Sequence, residues 1–327
     1  MSKPPTISLP FTTYDTSPTK SRFNFLSGSR LRNRALAFAV AIGAFTLCVV
    51  LLRRTALQDA LPREASQSTS SGSQTSSNTM FTGAETKYPN TNHLIMVAGH
   101  AVWLGGQGYQ NDSDWFLESR QSGQGSTLAE HVRYGAQLAN KTPQSLLIFS
   151  GGNTREFAGA RTESQSYAEL LEFMARTDST LATAHVTTEE FARDSFENLL
   201  FSIARFYEIV GRYPQAITVI GFQFKKQRFR DVHRKALGFS VDKFTYHGID
   251  PPGLDRTTSN VEIENTRSAW EKDLYGCQNE NLLAKKKSRN PYRRRHGYEL
   301  SNPAIATLLT YCPRNGATVF PGKLPWA

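Results

Sequence analysis

The apolar run Leu146-Leu147-Ile148-Phe149 stops abruptly at Ser150-Gly151-Gly152, and after a polar loop a new helix opens at Thr162-Glu163. A strand that is apolar at every position has no face for water. It belongs in a sheet covered on both sides, which is the parallel α/β arrangement. Two glycines directly after it let the backbone turn sharply and approach a ligand closely. In open parallel sheets ligands bind beyond the carboxyl ends of the strands, so this loop is the first candidate for a functional site.

The same alternation extends in both directions. His93–Ala98 reads as a strand ending at Gly99-His100, and Thr127-Leu128-Ala129-Glu130 as a capping box that starts a helix reaching about Asn140. Thr162-Glu163-Ser164-Gln165 is a second capping box, followed by Tyr167, Leu170, Leu171 and Met174 at helical spacing. A short strand is expected at Ala184–Thr187. The clearest helix follows, with Phe196, Leu199, Leu200, Ile203, Phe206, Tyr207 and Val210 on one stripe, stopped by Gly211 and Pro214. Ala216–Ile220 is a buried strand ending at Gly221. A helix over 225–237 carries Phe229, Val232, His233, Ala236 and Leu237, and Lys243–His247 is a fifth strand before Asp250-Pro251-Pro252-Gly253. Strands and helices alternating at this spacing predict a three-layer α/β fold with a parallel sheet.

The amino-terminal third reads differently. Residues 1–34 are polar and rich in Ser, Thr, Pro and Arg, the composition of a disordered tail. Residues 35–52 carry no charge and meet the lower length of a membrane-spanning helix, read as a signal anchor. Residues 53–87 form a Ser/Thr-rich stalk, and the folded domain is expected over 88–327. Lys20, Arg22, Arg30, Arg32 and Arg34 before the span outnumber Arg53, Arg54 and Arg63 after it, which favours a cytosolic amino terminus and a lumenal domain. That topology suits a type II protein of the ER or Golgi. The sequons at Asn111 and Asn140 fit such a lumen, as does the single pair Cys277 and Cys312 left for a disulfide once Cys48 is assigned to the span. The competing address is a mitochondrial membrane, since the amino terminus is Arg- and Ser-rich and poor in acids.

The net charge of +10 does not point to nucleic acid. The excess sits in residues 1–60 and in KKKSRNPYRRRH at 285–296, and the remaining body is mildly acidic. The run at 285–296 reads as a solvated insertion, or as a contact for acidic glycans, phosphates or headgroups.

Packing leaves a few residues unexplained. Glu163 lies four residues before Tyr167 and so falls on the core-facing stripe in the first turn of its helix. Lys225 repeats this four residues before Phe229, just after the strand ending at Gly221. An acid and a cation, each at a helix start beside a strand end, converge on one crevice where helix amino ends attract anions. Without function, Glu163 is an ordinary first-turn acid and Lys225 a solvated flank. Asn198 lies opposite the apolar stripe of its helix, a position exposed to solvent unless it serves a ligand. His100 after the first strand is a ligand contact or a structural histidine, while His131 and His233 read as ordinary helix residues. No His, Cys, Asp or Glu spacing matches a zinc site, and there is no G-x-S-x-G, Walker loop or G-x-G-x-x-G after the first strand.

Taken together, these loops resemble the YdcF/SanA/ElyC-like family, a domain of unknown function. Its members have a hydrophobic strand leading to Ser-Gly-Gly and then an acid starting the next helix, here Ser150, Gly151, Gly152 and Glu163. A pattern Glu-x-x-Ala-x-[Asn/Asp]-[Ser/Thr]-x-x-Asn follows, matched by Glu189, Ala192, Asp194, Ser195 and Asn198. Last comes a strand followed by a Phe-His-x-x-Arg-like motif, here Phe224-Lys225-Lys226-Gln227-Arg228, with lysine in place of the histidine. The resemblance covers about residues 92–247 and implies a Rossmann-like fold, with an association with membranes and surface polysaccharide. It suggests an enzyme or binder of a phosphorylated or nucleotide-like molecule. In that reading Glu163 acts as acid/base, and the Gly151 and Gly152 amides, Lys225 and Arg228 hold an anion. Gly99, His100 and Ser150 line the site, and Glu189 and Asn198 position the ligand or support the loops. The alternative is a non-catalytic lumenal scaffold that binds glycans or proteins through 285–296. No cofactor is named by the sequence.

Overall fold

The computed structural model describes residues 88–254 and 266–327, all within the compact unit 79–327. The amino-terminal tail, the span expected at 35–52 and the stalk lie outside the described residues. Among the described residues no helix is long and apolar enough to cross a membrane.

The strands are β1 (His93–Ala98), β2 (Val102–Trp103), β3 (Trp115–Phe116), β4 (Ser145–Ser150), β5 (Val186–Glu189), β6 (Ala216–Gly221) and β7 (Phe244–Gly248). Five of them form one parallel sheet in the order β5-β4-β1-β6-β7, and β2 and β3 pair antiparallel beside it. The chain works outward from β1 to β5, then returns to lay β6 on the other side of β1. That reversal between β1 and β6 is a topological switch point, consistent with a Rossmann-like fold.

Helices cover both faces. Leu94 and Met96 of β1 join the core made with α3 (Ser195–Val210), whereas Ile95 and Val97 join the one made with α1 (Gly125–Lys141) and α2 (Glu163–Ala175). The strand is apolar from Leu94 to Ala98 because successive side chains meet alternate helical layers. Each fully buried Leu, Ile or Val contributes roughly 1.5–3 kcal/mol relative to exposure. Gly135 lets α1 close on the sheet, since a Cβ there would lie 2.6 Å from Val97 Cγ2.

Local capping follows the sequence in two helices and departs from it in one. Thr162 accepts from the Gln165 amide at 3.0 Å, as the capping box predicts. Asp194 caps α3 through the Phe196 and Glu197 amides at 3.0 and 2.9 Å, and Gly211 ends it at φ +76°. The capping box expected at Thr127 does not form. The helix already begins at Gly125, and Asp112 takes the Gly123 and Gly125 amides at 2.5 and 3.1 Å from across a loop. The helix expected over 225–237 is present as a continuous helical segment over 223–236, but its winding changes along the way: 3-10 at Gln223–Lys225, π-helical at Arg228–His233, and α-helical at 226–227 and Arg234–Ala236. β5 lies two residues later than expected.

The carboxy-terminal region is part of the core. Beyond the short helices α4 (Ser268–Lys272) and α5 (Glu280–Ser288), Trp270, Tyr275, Leu282, Tyr298, Leu308 and Trp326 all pack on the α3 side of the sheet. Cys277 and Cys312 form a disulfide across it.

Candidate functional site

A cavity of about 530 Å³ opens at the carboxyl ends of β1 and β6, at the switch point. After β1 the chain runs into Gly99 and His100, and after β6 into Phe222, Phe224 and Lys225. The His100 ring stacks on Phe222 at 4.8 Å, and Phe222 stacks in turn on Phe224 at 5.1 Å. Lys225 Nζ lies 3.2 Å from His100 Nδ1 and 5.2 Å from the Phe222 ring centre. An ammonium only donates, so Nδ1 is the acceptor and the proton of the neutral ring sits on Nε2. Burial pushes the His100 pKa well below its ordinary value, and the charge of Lys225 adds to that.

Glu163, the first residue of α2, is buried on the cavity wall. Its Oε1 accepts from the Thr154 hydroxyl and lies 4.0 Å from the Arg155 guanidinium, which is held by Glu118 and donates to the His100 carbonyl at 2.9 Å. Its Oε2 fills the space over two glycines: a Cβ on Gly99 or Gly151 would come within 2.8 or 2.6 Å of it.

That geometry corrects the role expected of the Ser-Gly-Gly loop. The Gly151 amide donates to the Glu189 carbonyl at 3.0 Å and the Gly152 amide to the Ala192 carbonyl at 2.8 Å. Neither amide is left to hold an anion, and neither residue lines the cavity. The glycines are required because Glu163 and the 190–192 loop occupy the space a side chain would take. Ser150 and Glu189 likewise sit behind the site. Ser150 Oγ donates to Glu189 Oε2 at 2.7 Å, and Glu189 Oε1 accepts from the Phe191 amide at 2.7 Å and the Tyr298 hydroxyl at 3.3 Å. Burial pushes the Glu189 carboxyl up to about 7, with these hydrogen bonds pulling the other way. Asn198 is buried, not exposed: it donates to the Ser150 carbonyl at 3.4 Å and lines the cavity. The face of α3 opposite its apolar stripe meets the strand ends at that first turn.

Gly99, His100, Glu163, Asn198, Lys225 and Arg228 are thus brought to one cavity, and Ser150, Gly151, Gly152 and Glu189 support it from behind. The sequence reading offered the run at 285–296 as a contact for phosphates but did not join it to this crevice. Lys285 and Arg289 reach the cavity from α5 and its end, together with Arg120 and Arg193. Six cationic side chains therefore face the space against two carboxylates, Glu163 and Asp194, with Phe222, Phe224 and Trp270 as an aromatic surface. The signal was present, since Lys285 and Arg289 are four residues apart and share a helix face. What the sequence lacked was the surface that face meets.

Lys286, between them, is anchored inside. Its Nζ lies 3.4 Å from both Asp194 Oδ2 and Glu197 Oε1 and donates to the Tyr275 carbonyl at 3.1 Å. Burial works to raise the Glu197 pKa, but the charges of Lys286 and Arg193 outweigh it and hold the carboxyl below its ordinary value. Burial wins at Asp194, whose pKa is raised against the pull of Lys286. Arg294 pairs with Glu190 at 3.4 Å and lies over Phe191. The basic run is therefore held against the protein through Lys286 and Arg294, and Lys287, Arg293 and Arg295 are its exposed cations. Among the described residues no cluster of three or more His, Cys, Asp or Glu side chains is disposed to hold a metal ion.

No protein-family model matches the chain, and no solved structure matches it. The chain is similar to an uncharacterized protein of Saccharomyces cerevisiae, YOR238W. The two are 29% identical over 282 aligned residues, which span 69% of this chain and 90% of the yeast protein.

Proposed function

We propose that this chain is a YdcF-like domain whose crevice binds a phosphorylated small molecule carrying a ring, such as a nucleotide or sugar phosphate. The observation that supports this reading is the cavity wall: six cations beside stacked aromatic rings at the switch point of a parallel sheet. Cations at that position attract phosphate oxygens, and an aromatic face beside them suits a base or sugar. Glu163, fixed by Thr154 and Arg155, is the acid/base or the acceptor for a ligand hydroxyl. The anchor at 35–52 and the Cys277–Cys312 disulfide suit a domain held in the oxidising lumen of the secretory pathway, where a link to surface-polysaccharide precursors follows from the family resemblance.

The test is the thermal midpoint of the full-length protein against inorganic pyrophosphate, nucleotides and sugar phosphates. At a hundredfold excess over Kd a ligand adds about 2.7 kcal/mol, which for a domain of this size is a rise of roughly 5–10 °C. Lys225→Ala should lose the rise, and Glu163→Gln should separate turnover from binding. If no phosphorylated compound raises the wild-type midpoint, the reading is wrong.

A further inference from the structure

We propose that Ser195 and His233 form a nucleophile–base pair in this cavity, which takes a phosphoryl group from a phosphate ester onto Ser195. This rests on the phosphate-binding reading above and adds a reaction to it.

Ser195 is the first residue of α3 and lines the cavity. Its Oγ lies 2.8 Å from His233 Nε2, although the two are 38 residues apart in sequence. His233 is fully buried, and its Nδ1 has no hydrogen-bond partner among the described residues. A polar ring in such a place is costly, and packing alone would be better served by Phe or Leu. The ring is oriented by aromatic neighbours instead of a carboxylate: Trp270 at 4.7 Å and Phe229 at 5.4 Å, both near perpendicular, and Phe196 at 5.7 Å. It also ends the π-helical stretch that begins at Arg228. Residues five apart diverge on an α-helix but are stacked by the i→i+5 bonding of a π turn, an irregularity common at functional sites. One short segment thereby supplies a cation to the cavity and a base behind the serine.

Burial, reinforced by Arg228 and Lys286, keeps the His233 pKa well below its ordinary value, so the ring rests neutral with Nε2 facing the Ser195 hydroxyl, and the negative charge of the bound phosphoryl group offsets the cost of the imidazolium formed when that proton moves. Arg228, Lys285 and Arg289 on the same walls select a phosphoryl group over a neutral carboxyl ester. Ser195 Oγ forms a bond to phosphorus as the bond from phosphorus to the leaving oxygen breaks. The hydroxyl proton passes to His233 Nε2 and stays there, while the leaving oxygen, which departs on the side of phosphorus opposite Ser195, takes its proton from solvent. Water completes the cycle from that open side: its oxygen attacks phosphorus and gives its proton to solvent, and the Oγ–P bond breaks as His233 returns its proton to Ser195. Inorganic phosphate is released.

The experiment is rapid-quench hydrolysis of p-nitrophenyl phosphate by the full-length protein, with acid-quenched peptides mapped for phosphoserine. The expected result is a burst of nitrophenolate and phosphate on the Ser195 peptide. Ser195→Ala should abolish both, and Ser195→Thr should keep a slower, labelled reaction. His233→Gln should slow the burst by about 10²–10⁴-fold and flatten its pH dependence. Thermal midpoints report folding, and if His233→Gln does not fold, Ser195→Ala decides. Undiminished turnover in folded Ser195→Ala overturns the proposal, as does a wild-type protein that gives no burst and no label. Stabilisation by pyrophosphate in that last case means that only the pair has failed. Its absence means that the phosphate-binding reading has failed with it.

Discussion

Replacing Glu189 by glutamine removes a titration that the fold has displaced. The Glu189 carboxyl is pushed up to about 7 from an ordinary value of 4.5 because it is buried behind the site, and the hydrogen bonds from Ser150, Phe191 and Tyr298 offset that burial only in part. The folded state holds this proton more tightly than the unfolded state does. The stability from the protonated group is fully present below pH 4.5, declines between pH 4.5 and about 7, and is lost above that. At about 1.4 kcal/mol per pH unit, ionisation costs about 3 kcal/mol by pH 8. Glutamine keeps the shape without the charge, and the Ser150 hydroxyl still has the Asn198 carbonyl at 3.4 Å. The assay is urea unfolding of wild type and Glu189→Gln at pH 5 and pH 8. Relative to wild type the variant should gain about 2.5 kcal/mol between those pH values, since part of the loss is already present at pH 5, and charges common to both proteins cancel in the difference. A difference that does not change with pH, or that favours wild type at pH 8, refutes the reasoning.

Three further outcomes follow from the same geometry. Converting Cys277 and Cys312 to serine, a pair 35 residues apart, should cost roughly 3–4 kcal/mol by loop entropy, measured by urea unfolding. Lys286→Met leaves Asp194 and Glu197 buried without their common cation and should cost about 3–5 kcal/mol near neutral pH, less at acid pH where the carboxylates take up protons. Neutralising Lys285 and Arg289 together should weaken pyrophosphate binding at least about tenfold, as expected from losing charge-assisted hydrogen bonds. The same change at the exposed Lys287 and Arg295 should leave calorimetric affinity nearly unchanged.

Much of the fold is legible because its causes are local. β1 lies where the apolar run His93–Ala98 places it, and α2 and α3 begin at Thr162 and Asp194, whose side chains cap amides two or three residues on. The cap of α1 is not legible, because Asp112 reaches the helix start from a loop more than ten residues upstream. The helix after β6 is legible from Phe229, Val232 and Ala236 at helical spacing, but its π-helical winding at Arg228–His233 is not, since the same spacing suits an unbroken α-helix.

The site divides along the same line. The sequence by itself determined that strands alternate with helices, that an acid opens α2, and that a cation follows β6, since each depends only on neighbours along the chain. Only the tertiary structure decided that β1 lies between β4 and β6, which centres the cavity on Gly99-His100 and Phe222–Lys225 and leaves Ser150-Gly151-Gly152 behind it. It also decided that the two glycines make room for Glu163, that Lys285 and Arg289 complete the cationic wall, and that Ser195 meets His233. Strand order and the meeting of distant side chains come from the joint packing of every layer. No stretch of the chain contains that information alone.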